Sequence, residues 1–241
     1  MSKIKISYWS DYVCPFCYIG EKRMKNILKE LNITDKFEFE FRAFELDPNS
    51  RSKGERIDIL LSKKYNLPIE QAKANINYIN KLGQEEGINM KYGTCIHENT
   101  LNAHRLTKYI EKKGNYENYE KVIFLLYDAY FTKNLNLADK NVLINIGEQA
   151  NCSKEEIEKL LNNSDFIEEV RKDENDAYCE GVHGVPYFVI DGKYVINGAQ
   201  EKNFMKECLI NALNEKKEKN EKNMNNNNEF ECGIDGCFIK K

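Results

Sequence analysis

Residues 3–9 alternate between polar and apolar side chains, with Ile4, Ile6 and Tyr8 two apart, which predicts a β-strand. From Glu21 to Leu31 the spacing changes, and Met24, Ile27, Leu28 and Leu31 recur at helical intervals until Asn32 and Thr34 break the pattern. Residues 37–44, Phe-Glu-Phe-Glu-Phe-Arg-Ala-Phe, then alternate almost without fault. A strand, a helix and a second strand in succession predict parallel pairing, because the helix carries the chain back across the sheet. From about Lys53 to Tyr178 the period is helical throughout. Its markers are Ile57, Leu60 and Leu61; Ala74, Ile76, Ile79 and Leu82; Leu101 to Ile110; Tyr119 to Phe131; Val142 to Ala150; and Ile157 to Val170.

The strand signal returns after Pro186. Tyr187 to Ile190 and Tyr194 to Ile196 are β-branched and aromatic, Asp191-Gly192 between them is a hairpin turn, and a helix follows from about Gln200 to Lys217. The expected fold class is α/β with a core in two parts, residues 1–48 and 179–217, around an all-helical insertion at 49–178. From Glu215 to Glu229 the chain is Lys, Glu and Asn with almost no apolar residue, a composition expected to stay a flexible linker. The final part, 218–241, then places Cys232 and Cys237 around a glycine-punctuated turn flanked by Phe230 and Phe238.

The chemistry concentrates at Cys14-Pro15-Phe16-Cys17, between the first strand and the first helix. Residues three apart share a helix face, so two sulfurs at this spacing can close a small ring or open to thiols. Cys14 falls at the helix N-terminus, where unpaired backbone N–H groups and the macrodipole favour a negative sulfur. That makes Cys14 the expected nucleophile and Cys17 its resolving partner. Pro15 suits the first helical position, where its missing N–H costs nothing. A Cys-x-x-Cys pair is also half of a zinc site, so a metal-binding interaction module stands as an alternative. A proline opening a strand tolerates a cis bond, which would expose the backbone of Val185 to an extended substrate.

Composition narrows the classes. A net charge of −3 spread over mixed Lys and Glu supplies no basic stripe for nucleic acid. Met1-Ser2-Lys3-Ile4-Lys5 runs straight into the strand with neither a signal-peptide apolar region nor a membrane span, so no membrane partner is expected and the cytosol is the expected compartment. Eight cysteines in 241 residues, irregularly spaced, do not read as a secreted disulfide scaffold. Cys95, Cys152, Cys179 and Cys208 read as structural, small buried hydrophobes.

Taken together, Cys-Pro-Phe-Cys after a strand, Gly184-Val185-Pro186-Tyr187-Phe188-Val189, Gly198-Ala199-Gln200, Asn99-Thr100 and Ala103-His104-Arg105-Leu106 resemble the DsbA-like thioredoxin superfamily, in particular its FrnE-like branch of dithiol-disulfide isomerases. The resemblance spans almost the whole chain. It implies a thioredoxin-like fold with a large helical insertion, a cis-proline at Pro186, and Cys14 and Cys17 as the redox pair. Some FrnE-like proteins carry a second C-terminal cysteine pair with four intervening residues, and Cys232 and Cys237 match that spacing, so the resemblance implies an auxiliary redox pair, the alternatives being a tail that docks through Phe230 and Phe238 or half of a metal site. A linker of about fourteen residues would span roughly 20 Å, within reach of the active site. The resemblance also brings His104 toward the cleft, to tune Cys14 or bind substrate.

The expected site is therefore Cys14, Cys17 and Pro186 for catalysis, with Val185, Trp9, Phe16, His104 and His183 toward the substrate and no metal. The expected activity is protein disulfide oxidoreductase or isomerase, on thiol or disulfide proteins or small thiols. No cofactor is expected beyond the redox-active disulfide, with glutathione the candidate exchange partner. The rival within the superfamily is a glutathione-dependent transferase or small-molecule isomerase related to hydroxychromene-carboxylate isomerase and the kappa-class transferases. Those relatives carry serine where the attacking thiol would stand. The oligomeric state and the direction of exchange are not written in the sequence.

Overall fold

The computed structural model describes residues 2–50, 54–227, 230–233 and 236–239, with side chains described through residue 221. In chain order the elements are β1 (Ile4–Ser10), α1 (Pro15–Glu30), β2 (Phe37–Ala43), α2 (Ile57–Lys64), α3 (Ile69–Glu85), α4 (Leu101–Lys112), α5 (Tyr116–Phe131), α6 (Lys140–Gln149), α7 (Lys154–Asn162), α8 (Ile167–Cys179), β3 (Tyr187–Ile190), β4 (Tyr194–Asn197), α9 (Lys202–Asn227), β5 (Phe230–Gly233) and β6 (Gly236–Ile239). The main sheet has the order β2-β1-β3-β4. β1 runs parallel to β2, with Ile4 opposite Phe37 and Ser10 opposite Ala43, and antiparallel to β3, with Trp9 opposite Tyr187. The β3–β4 turn is closed by the Lys193 N–H on the Ile190 carbonyl, and Asp191 and Gly192 both have positive φ, as the Asp-Gly pair predicts.

The period of two along β1 decides what each face packs against. Ile4, Ile6 and Tyr8 join Phe37, Phe39 and Phe41 of β2 and Met24, Ile27 and Leu28 of α1 in the main core. Tyr8 stacks on Phe188 at 5.5 Å. Trp9, one residue on, faces the other way into a smaller cluster with Ala177, Val182, Tyr187 and Val189.

The helices between β2 and β3 close the outer side of β2. The amides of Phe39, Phe41 and Ala43 donate to Tyr116 Oη at 2.9 Å, Tyr119 Oη at 2.8 Å and Asp173 Oδ2 at 2.8 Å. Asp173 on α8 is buried and also meets Lys108 Nζ at 2.7 Å and Arg42 at 3.6 Å. Burial alone would lower the pKa of Lys108, but Asp173 and Glu111 beside it outweigh that and hold it above its ordinary value. Arg105, 3% exposed, donates to the carbonyls of Leu160, Asn163 and Asp165, so one guanidinium satisfies the C-terminal end of α7.

The start of α7 is a capping box, with Ser153 accepting from the Glu156 amide and Glu156 accepting from the Ser153 amide. Lys113, the Ser153 amide and Tyr109 hold the Glu156 carboxyl down at about 2. A depressed carboxyl stabilises the fold above its unfolded value and loses that contribution as pH falls toward the folded one. The melting-temperature gap between wild type and Glu156→Gln is therefore expected to be full at neutral pH and to close between about pH 4.5 and pH 2. A gap independent of pH would show that the charge on Glu156 plays no part in the cap.

The expected flexible linker is corrected over 218–227, where α9 continues to Asn227. Residues 202–227 contain neither Gly nor Pro, Lys and Glu are good helix formers, and Lys219 stands one turn from Glu215 and stabilises its charge. Low hydrophobicity argued against a core, but not against a solvated helix. At 26 residues α9 spans roughly 39 Å, so the reach expected of a random tether does not apply. Residues 228–229 lie outside the described residues. Beyond them β5 and β6 pair antiparallel with Cys232 opposite Cys237 in register.

Candidate redox-active site

The turn that delivers the dithiol begins at the end of β1. The Cys14 N–H donates to the Asp11 carbonyl at 3.1 Å, Cys14 takes an extended conformation as the N-cap of α1, and Pro15 opens the helix. One turn into the helix, the Cys17 N–H donates to the Cys14 carbonyl at 3.1 Å. Both cysteines carry free thiols, with Cys14 5% exposed and Cys17 fully buried. The order of attack follows from that difference, because a substrate disulfide meets Cys14 first.

Opposite Cys14 lies the loop before β3. The Cys14 thiol donates to the Val185 carbonyl at 3.5 Å, and the Val185–Pro186 peptide is cis. Val185 is half-buried and lies outside the β3 ladder, which begins at Tyr187, while Pro186 is buried and its carbonyl accepts from the Gly198 N–H at 2.8 Å. Gly20, one turn beyond Cys17, lets α1 approach closely. A Cβ there would stand 3.2 Å from Pro186 Cγ and 3.3 Å from the Phe188 ring. Arg23 on the same helix donates to the carbonyls of Ala199 and Gln200 and pairs with the buried Glu86 at 2.6 Å. Dithiol, proline loop and Gly-Ala-Gln segment are thus tied to one helix.

Burial pushes the Cys17 thiol well above the ordinary range and the neighbouring Cys14 adds to this, while hydrogen bonds from the Ser10 side chain and the Asp11 backbone act in the opposite sense. Ser10 and Tyr127, both fully buried, hydrogen-bond each other. Tyr92 of the loop before α4 is buried, its ring lies 5.7 Å from that of Phe131, and burial raises its phenol, with the charge of Cys14 acting in the same sense.

The sequence-predicted residues divide. Phe16, between the thiols, is 40% exposed, and His183, two residues before Val185, is exposed as well. Trp9 is a correction to the expected groove. It is 2% exposed, its indole N–H donates to the Asp173 carbonyl at 2.8 Å and Arg42 covers its ring, so it fastens α8 to the sheet. His104 is corrected as a substrate contact as well. It is fully buried against Tyr12 and Phe41, with Nε2 3.3 Å from Asp11 Oδ1, while the other Asp11 oxygen accepts from the Leu46 N–H. Its partner Asp11 also accepts the Cys14 N–H on its backbone carbonyl.

Cys95, Cys152 and Cys208 are buried, as expected of structural thiols, and burial pushes Cys95 up to about 12. Cys179 is exposed, against that reading. Cys232 and Cys237 are placed by backbone register alone. Sequence reasoning missed Ser10, Asp11, Gly20, Tyr92 and Tyr127. The available signal was Ser10-Asp11, two short polar residues ending an apolar strand just before the thiols.

Among the described residues, no group of three or more His, Cys, Asp or Glu side chains is placed to hold a metal ion, and no helix is long and apolar enough to cross a membrane. Residues 5–209 match the family model of the DSBA-like thioredoxin domain. Over 215 residues the chain is 24% identical to the uncharacterized protein YwbO of Bacillus subtilis, covering 88% of this chain and 99% of that one. The crystal structure of a probable DsbA oxidoreductase from Streptomyces coelicolor matches with a TM-score of 0.81 at 27% identity, over 99% of this chain and 100% of that one. A 2-hydroxychromene-2-carboxylate isomerase matches with a TM-score of 0.65 at 14% identity, over 89% of this chain and 98% of that one, a likeness of fold.

Proposed function

Because the chain belongs to the DSBA-like thioredoxin domain family, we propose that it is a cytosolic thiol–disulfide oxidoreductase or isomerase working through Cys14 and Cys17. The observation that carries this reading is the partly accessible Cys14 sulfur facing the Val185 carbonyl, with a buried second thiol one turn behind it. Cys14 as thiolate attacks a substrate disulfide, forming a mixed disulfide and releasing one substrate thiolate, which takes up a proton. Cys17 then attacks the Cys14 sulfur, releases the second substrate thiol and leaves a Cys14–Cys17 disulfide. Two electrons have passed from the dithiol to the substrate. Run backward, the steps oxidise a dithiol, and repeated on one substrate they isomerise it. Val185 holds an extended substrate by its backbone, and Phe16 and His183 border the groove.

Glutathione is the exchange partner we propose for restoring the dithiol, two molecules being oxidised to one disulfide. The cytosol is the proposed compartment, since the sparse, irregular cysteines do not make a secreted scaffold. Cys232 and Cys237 are a proposed auxiliary pair, because residues directly opposed across an antiparallel ladder lie about 4.5–5.5 Å apart at Cα, within disulfide range.

The test is a redox titration in glutathione buffers, read by intact mass after alkylation, on wild type and on Cys232→Ser, Cys237→Ser. A two-electron transition at Cys14–Cys17 is expected. A midpoint near about −270 mV would mark a reductant and one near about −120 mV an oxidant. No exchange at Cys14–Cys17 would overturn the reading, and an unchanged titration in the double variant would remove the auxiliary role.

A further inference from the structure

A carbonyl that is to accept from a substrate backbone must stand at a fixed height over the attacking sulfur, because a hydrogen bond tolerates little error in distance or angle. At rest the Val185 carbonyl accepts from the Cys14 thiol at 3.5 Å. Once Cys14 is a thiolate that donor is gone, and a substrate N–H can replace it. Two residues of α1, about one turn apart, fix where this carbonyl stands. Gly20 lies against Pro186 and Phe188, where a Cβ would come within 3.2 Å of Pro186 Cγ and 3.3 Å of the Phe188 ring. Arg23 holds the loop through a second segment. Its buried guanidinium donates to the carbonyls of Ala199 and Gln200 at 3.3 and 2.8 Å, and the Gly198 N–H donates to the Pro186 carbonyl at 2.8 Å. We propose that Gly20 and Arg23 are positioning residues that set the gap between the Cys14 sulfur and the Val185 carbonyl, and that this gap favours disulfides carried by an extended peptide over compact disulfides with no backbone to pair.

The surrounding contacts decide which group gives way when either residue is changed. Phe188 is fully buried, stacks on Tyr8 at 5.5 Å, and sits in the ladder between Tyr8 and Ile196. Pro186 precedes β3, and Val185 before it is half-buried. A methyl group on residue 20 therefore moves Pro186 rather than Phe188, by the few tenths of an ångström that so close a contact demands, and Val185 is carried with it. Arg23 is not free to follow a displaced loop. Its Nε is fixed on Glu86 Oε1 at 2.6 Å, and Glu86 Oε2 accepts from Asn26 of the same helix at 3.0 Å. A lysine at position 23 keeps a charge facing Glu86 but has one nitrogen in place of the planar fork, so it cannot serve Glu86 and two carbonyls in the same geometry.

This inference rests on the oxidoreductase reading, and the experiment separates the two. Reduced protein is given two disulfides of one aromatic thiol whose thiolate absorbs visible light: the symmetric disulfide, which has no backbone, and the mixed disulfide with the central cysteine of an extended peptide. The first release from each is timed. Attack by Cys14 expels the same aromatic thiolate from both, so leaving-group chemistry cancels between variants in the ratio of the two second-order rate constants. In Gly20→Ala the ratio of peptide to aromatic rate constants is expected to fall about fivefold, the worth of one backbone hydrogen bond, and in Arg23→Lys about threefold, while the aromatic constant itself changes less than about twofold in both. Ala is a better helix former than Gly, which offsets the crowding, so Gly20→Ala is expected to melt cooperatively.

A wild type that releases thiolate from neither disulfide overturns the oxidoreductase reading and the positioning role with it. Release from both in wild type, with the ratio unchanged in the two variants, overturns the positioning role alone. An equal fall of both constants leaves the ratio where it was, assigns Gly20 and Arg23 to packing and also overturns it. If Gly20→Ala does not melt cooperatively, Arg23→Lys decides by the same ratio.

Discussion

Cys14→Ser is expected to lower disulfide exchange by about 10⁴-fold or more, and Cys17→Ser to halt it midway with substrate covalently held on Cys14. The asymmetry comes from burial. Cys14 is 5% exposed at the N-terminus of α1, while Cys17, three residues on, is fully buried. Without Cys14, no accessible sulfur of the pair remains for a substrate to meet. Without Cys17, the first exchange proceeds and the adduct waits for an external thiol. Intact-mass analysis after incubation with a peptide disulfide checks both, with one added peptide mass expected on Cys17→Ser and none on the Cys14 site of Cys14→Ser. Adduct of equal yield on both variants would mean that the sulfur roles are reversed or shared.

Asp173→Ala is expected to destabilise the fold by about 3–5 kcal/mol, the range for removing one partner of a buried ion pair. The carboxylate accepts from the Ala43 amide and faces Lys108 at 2.7 Å; without it the Ala43 amide would be left buried without an acceptor, and Lys108 would keep only its weaker partners, Glu111 at 3.1 Å and the Phe41 carbonyl at 3.5 Å. For a chain of this length the melting temperature should fall by roughly 10 °C. Asp173→Asn keeps an acceptor for Ala43 but removes the charge opposite Lys108, so its loss should lie between wild type and Asp173→Ala. Denaturant unfolding measures both, and a loss under about 1 kcal/mol for Asp173→Ala would show that water or a shifted side chain satisfies Lys108 and Ala43.

What could be read from the sequence was local. The alternation of residues 37–44 and the helical period after Glu21 needed only neighbours a few positions away, and the strands and parallel pairing follow them. Cys14 and Cys17 were legible for the same reason, since three residues of helix fix their geometry. The Ser10–Tyr127 hydrogen bond was not legible, because Tyr127 lies 117 residues from Ser10 and only the packing of α5 brings the two hydroxyls together. Trp9 was misread because an aromatic at a strand end can serve either face, and the face is chosen by register against Tyr187 and Arg42. His104 was expected toward the cleft, whereas it is fully buried with its ring nitrogen on Asp11, a contact 93 residues apart that the sequence does not show. The segment 218–227 failed on a different ground, since a composition unable to build a core was taken as unable to form a helix.

The three side-chain acceptors along β2 have a consequence for how this fold can be altered. Phe39, Phe41 and Ala43 present a row of amides on the outermost strand, and Tyr116, Tyr119 and Asp173 from the intervening helices occupy that row. A version trimmed to the sheet, α1 and α9 would bare a straight edge ready to template another chain, and self-association or fibre growth would begin there. The helices between the two halves of the sheet therefore cap the β2 edge as well as shaping the surface, and any attempt to miniaturise the dithiol scaffold must first blunt β2 with charge or proline.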